Sequence, residues 1–131
     1  MIFTATREDE DEARAGGPAW KEYWHTIGEA RCEYALAVLE AAYGIRLWST
    51  IENYTDDAIT FTVAEGTFTV TTRDVLKVLD RMLTEGDNFG MSFRVWKGIV
   101  GDYAGGESGN VDEEVADLVI QSAAFGKLIY G

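Results

Sequence analysis

The spacing of apolar positions changes along the chain, and each change marks an element. From Ala19 to Tyr43 strong helix formers run without a breaker; Pro18 sits where a first helical turn tolerates proline, and Gly44 is a natural stop. At about 100° per residue, Glu22, Glu29, Glu33 and Glu40 fall within about 20° of one line. Trp20, Trp24, Ile27, Tyr34, Val38 and Ala42 lie opposite, and Cys32, Leu36 and Leu39 spread apolar character toward the glutamates. Such a helix is buried over more than half its circumference and turns a narrow acidic stripe to water. Arg31 falls on the apolar side, where it is expected to snorkel or to pair with a carboxylate or an aromatic face.

A period of two follows. Ile45–Tyr54 is rich in β-branched and aromatic residues, Thr55-Asp56-Asp57 reads as a turn, and Ala58–Ala64 alternates with Ile59, Phe61 and Val63 on one face. Glu65-Gly66 reads as a tight hairpin, after which Phe68 and Val70 point inward and Thr67, Thr69 and Thr71 outward. The helical period returns at Thr72: Val75, Leu76, Val78, Leu79, Met82 and Leu83 form an inward face, Asp74 is placed to bond back to a cap, and Gly86 ends the element.

Residues 87–103 fit two periods. Phe89, Phe93, Trp96, Val100 and Tyr103 suit a helix, whereas Gly90, Gly98 and Gly101 weaken one and Met91, Phe93 and Val95 suit a strand. The glycines favour an extended segment at 91–97. Residues 104–109 read as a flexible loop; Asn110 then caps a last helix, with Glu113 completing an N-x-x-E box and Val111, Val115, Leu118, Val119, Ser122 and Ala123 on one face up to Gly126. The expected fold is α+β: a three-stranded antiparallel meander, four-stranded if 91–97 joins it, packed against a long N-terminal helix and two further helices. Residues 1–17 are expected to be an acidic flexible arm and residues 18–131 one α+β domain.

Charge changes this picture. With 11 basic and 23 acidic residues the net charge is −12, so a phosphate backbone would be repelled and direct nucleic-acid binding is disfavoured. The excess is localised. Residues 1–17 carry −3, with Glu8, Asp9, Glu10, Asp11 and Glu12 against Arg7 and Arg14; residues 101–117 carry −6 through Asp102, Glu107, Asp112, Glu113, Glu114 and Asp117 with no base. Some of the second cluster has a structural reason, because acids in a first helical turn complement the helix dipole. Otherwise the two clusters are either solvated segments or docking surfaces for a basic partner.

Chemistry is sparse. One histidine, His25, and one cysteine, Cys32, exclude multi-His and multi-Cys zinc sites, and no metal or cofactor is expected. On one helix the two stand about 10.5 Å apart along the axis, too far for a nucleophile–base dyad. Cys32 is expected to be a small buried hydrophobe. The single cysteine permits no internal disulfide, and neither a signal peptide nor a spanning segment is expected, so the chain reads as cytoplasmic. No residue is expected to be catalytic. Gly106-Glu107-Ser108-Gly109 misses nucleophile-elbow spacing, and the remaining glycines match no phosphate-binding loop.

The leading expectation is therefore a small non-enzymatic binding or inhibitor protein docking on a basic protein surface, without membrane contact. The partner would be a nucleic-acid-binding protein if the carboxylates stand in for phosphates, as in small proteins that block nucleases, restriction or CRISPR complexes. That parallel is one of composition and size. The partner-binding candidates are residues 8–12, then Asp102, Glu107, Asp112, Glu113 and Glu114, and the helical pair Glu29 and Glu33. Two alternatives stand beside it: a small-ligand protein or minor enzyme with a pocket of Trp24, His25, Arg31 and Trp48, and a structural or assembly subunit.

Overall fold

A computed structural model describes the backbone of residues 18–130 and the side chains of residues 28–130. Helix α1 (Pro18–Glu40) runs into a 3-10 turn (Ala42–Leu47), followed by strands β1 (Thr50–Tyr54), β2 (Ala58–Val63) and β3 (Gly66–Thr71). Helices α2 (Thr72–Glu85), α3 (Phe93–Ala104) and α4 (Glu113–Phe125) complete the order. The class is α+β, with one antiparallel sheet in the order β1-β2-β3.

The sheet follows its alternation. Ile59, Phe61, Val63 and Val70 are buried on one face, while Thr60 pairs with Thr69 at 2.9 Å and Thr62 with Thr67 at 3.0 Å on the other. The hairpin turn sits one residue earlier than expected: Val63 pairs with Gly66 around Ala64-Glu65, and the positive φ of 137° falls on Gly66. Helix α2 begins as expected. Thr71 and Asp74 form a reciprocal capping box, and Gly86 ends the helix in the left-handed region at φ 71°.

Other boundaries moved. Residues 45–47 belong to the 3-10 turn rather than to a strand, and Gly44 lies buried inside that turn instead of stopping α1. Helix α1 stops at Glu40, and the Tyr54 hydroxyl donates to the carbonyls of Leu39 and Glu40. Those orphaned carbonyls thus find a partner from β1, which no local pattern announces.

The extended segment at 91–97 is not formed, so among the described residues the sheet has three strands and α1 is joined by three further α-helices. The Ser92 hydroxyl accepts from the Val95 amide at 3.3 Å and starts α3, whose Ile99 and Tyr103 are buried. Gly98 and Gly101 stay in the helix with open space where a Cβ would be. Each costs about 1 kcal/mol against alanine, less than burial of Ile99 and Tyr103 returns. Just before α3, Phe89 holds a φ of 50°, rare for an aromatic residue. It is only 5% exposed, beneath the Arg81 guanidinium at 5.4 Å, with its carbonyl accepting from the Leu128 amide at 3.0 Å.

At α4 the cap is Asp112, whose carboxylate accepts from the Val115 amide at 2.9 Å; Asn110 instead donates to Asp102 at 3.4 Å. The inward face shifts accordingly. Ala116, Val119, Ile120, Gln121 and Ser122 are buried, while Val115, Leu118 and Ala123 are half-buried. Helix α4 packs against α1, α2, β3 and the 3-10 turn, so it ties the helical layer to the sheet. Its Phe125 meets Phe68 edge-on at 5.0 Å, and Trp48 stacks on Tyr130 at 4.7 Å.

Candidate functional site

The expected partner-binding acids of the 102–114 segment lie near α1 and the turn that follows it. Glu29, Glu33 and Glu40 are exposed on that helix, while residues 8–12 and the Glu22 side chain lie outside the described residues. The loop from Gly105 to Val111 lies against the same helix. Gly106 has φ 67°, and a Cβ there would stand 2.5 Å from the Ala30 Cβ, so only glycine permits this approach. One turn on, Tyr34 meets Tyr103 edge-on at 5.6 Å. The Tyr34 phenol is pushed well above its ordinary value, first by burial and then by the Asp102 and Asp112 carboxylates. Further along, the Glu113 carboxylate reaches within 3.4 Å of where a Gly44 Cβ would stand. Ala30 lies only about 60–100° around the helix from the glutamate line. The acidic loop and the glutamate stripe are therefore neighbours.

Several of these carboxylates also hold the loop. Asp112 caps α4, Glu107 accepts from the Gly109 amide at 3.1 Å, and the half-buried Asp102 accepts from Asn110. Asp117 accepts from the Trp48 indole at 2.9 Å and from Gln121 at 3.0 Å. A carboxylate offers about four acceptor positions, so these bonds use only part of its capacity. Glu113 and Glu114 are exposed in the first turn of α4. Between described side chains the ion pairs are those of Arg81 with Glu85 at 3.2 Å and Asp87 at 2.9 Å, away from this surface. Beside Glu40 a groove of ≈ 480 Å³ opens between α1 and the β1–β2 turn, lined by Leu36, Glu40, Tyr54, Thr55 and Asp56. Its apolar floor and two rim carboxylates suit the stem and head of a lysine or arginine.

The aromatic pocket imagined around Arg31 and Trp48 is not assembled from those two residues. Arg31 lies over the Tyr103 ring at 5.4 Å, and its Nε is buried without a hydrogen-bond partner. Tyr103 in turn donates to Asp80 at 2.5 Å, and its phenol is raised by burial and by that bond. Trp48 belongs to another cluster, with Phe61, Phe125 and Tyr130. The side chains of Trp24 and His25 lie outside the described residues. Cys32 is exposed rather than buried, because it sits on the far flank of α1 from the core residues Tyr34 and Val38. Among the described residues no three His, Cys, Asp or Glu side chains stand together as a metal site, and no helix is long and apolar enough to cross a membrane.

Sequence reasoning missed two exposed apolar features. Leu47 is 86% exposed beside Tyr43 at 53%, and Phe93 is 70% exposed at the start of α3. The helical reading of residues 87–103 was the signal for the second; nothing local marked the first. Comparison of the chain with protein-family models, curated proteins and solved structures finds no match.

Proposed function

We propose that this chain is a non-enzymatic binding protein that docks on a positively charged protein surface. The observation that carries the reading is the approach of the acidic loop to the glutamate stripe, with Gly106 against Ala30 and Glu113 against Gly44. Two segments about 70 residues apart in sequence thereby supply one field, from Glu33 and Glu40 to Asp102, Glu107, Asp112, Glu113 and Glu114. Clustered carboxylates repel one another, and a basic partner relieves that repulsion. The groove beside Glu40 offers a seat for one of the partner's basic side chains. Glu29 would extend the same field along α1. A nucleic-acid-binding protein is the partner class that such a charge density suits best.

The test uses the full chain as bait in cell extract, beside a Glu33→Lys/Glu40→Lys/Glu114→Lys variant, which spares the acids with structural bonds. Basic proteins retained by the wild type and lost from the variant are expected. For a purified pair, affinity should fall at least about tenfold between ~0.1 M and ~1 M salt, as the screening length drops from about 10 Å to about 3 Å. Displacement by duplex DNA would place the acids on the partner's nucleic-acid site. Equal capture by both baits, or affinity indifferent to salt, would sink the reading.

A further inference from the structure

The outward side of α3 carries cations at the edge of the acidic surface, and Asp102 belongs to both. Arg94 and Lys97 are exposed there, and neither makes a hydrogen bond or ion pair with a described residue. Helices α2 and α4 begin with acids, Asp74 in one and Glu113 and Glu114 in the other, whereas the first turn of α3 has none and carries Arg94. A cation at the positive end of a helix is unfavourable, so local structure does not account for it. Next to it Phe93 is 70% exposed, its ring tilted 30° to that of Trp96 with centroids 5.8 Å apart. Gly98 and Gly101 lack the side chains that would fill the space beside these residues. The result is a groove of ≈ 560 Å³ lined by Phe93, Arg94, Lys97, Gly98, Gly101 and Asp102.

We propose that this groove is the docking site of the chain's own acidic segment, residues 8–12. Charge complementarity is the first argument: the segment carries five consecutive carboxylates, and Arg94 and Lys97, unpaired among the described residues, outnumber the one carboxylate of the groove, Asp102. Reach is the second. Pro18 stands about 18 Å along α1 from Ala30, which touches Gly106 just beyond the end of α3. Arg94, at the far end of the groove, lies about 18 Å further along α3, so the longest path is about 36 Å. About ten or eleven extended residues cover that distance, so the Glu8 end of the segment is the part that reaches it. Arg73 and Lys77 at the start of α2 are also exposed cations, but α2 carries no aromatic residue beside them. This inference is independent of any partner, and its test needs none.

The experiment places a nitroxide at position 5 of the full chain through Ala5→Cys, with the exposed Cys32 changed to Ser, and reads the broadening of backbone amide signals. At low salt, signals of residues 93–101 should broaden beyond those of α2. The effect should vanish in Arg94→Glu/Lys97→Glu, persist in Arg73→Glu/Lys77→Glu, and fade at high salt. The first variant should remain folded, because both positions are exposed and a glutamate near the start of α3 complements its dipole; an unchanged circular dichroism spectrum checks this. Broadening confined to background, or reduced equally by both charge reversals, overturns the proposal. Broadening that also appears on unlabelled protein mixed with labelled protein overturns it in favour of a second copy's arm.

Discussion

Gln121 offers the sharpest test of how the C-terminal end is held. Its side chain is fully buried and makes four hydrogen bonds. The amide donates to Asp117 at 3.0 Å and to the Tyr130 carbonyl at 2.9 Å, while the oxygen accepts from the Ile129 and Tyr130 amides, each at 2.8 Å. Gln121→Met keeps the volume and removes all four bonds. Residues 127–130 then either stay with two orphaned amides or peel into water. Peeling separates Tyr130 from Trp48 and exposes Phe125. Four bonds at about 1 kcal/mol each set the upper end, and rehydration of the released strap lowers it, so we expect a loss of about 2–4 kcal/mol. For a chain of 131 residues this is a drop of about 6–16 °C in Tm. Urea unfolding followed by circular dichroism and tryptophan fluorescence measures it. Deleting residues 127–131 in both backgrounds completes a cycle, in which the two changes should be strongly non-additive. A loss below about 0.5 kcal/mol, or full additivity, would refute the clasp.

Three further outcomes follow from the fold. Asp112→Ala should cost about 1 kcal/mol in urea unfolding and Asn110→Ala much less, since the former caps α4; the reverse ranking would restore the cap expected from the N-x-x-E pattern. Gly106→Ala should destabilise by about 2 kcal/mol or more through its positive φ and the Ala30 contact, whereas Gly101→Ala should stabilise α3 by about 0.5–1 kcal/mol; equal effects would argue against the close approach. The Tyr34 and Tyr103 phenols are raised in the folded state, chiefly by burial, while the unfolded chain ionises them near pH 10. The native state then holds more protons, so their stabilising contribution is whole below about pH 10 and is lost as pH climbs toward the folded values. Tyr34→Phe should flatten the fall in stability between about pH 9 and pH 11, and an unchanged slope would contradict the assigned cause.

The acidic surface itself was half legible. Composition and helical spacing located the carboxylates, because charge and period are properties of a sequence read locally. Their adjacency was not legible: it depends on Gly106 meeting Ala30, a contact between residues far apart in the chain whose only local trace is a glycine among other glycines. The same holds for Arg31. Its place on the apolar side of α1 follows from the helical period, but the ring that receives it, Tyr103, lies on α3.

What the sequence determined alone is what short-range physics controls. The alternation of Ile59, Phe61 and Val63 set the buried face of the sheet, and Thr71 with Asp74 set the start of α2, since each rests on neighbours within one or two turns of chain. Tertiary structure decided the rest. Residues 93–104 became helix because burying Ile99 and Tyr103 outweighs two glycines, and the end of α1 was set by a hydroxyl from β1. Gln121 changed from one more helical residue into a buried clasp. In each case the deciding energy is burial or a hydrogen bond between distant segments, which no window of local sequence contains.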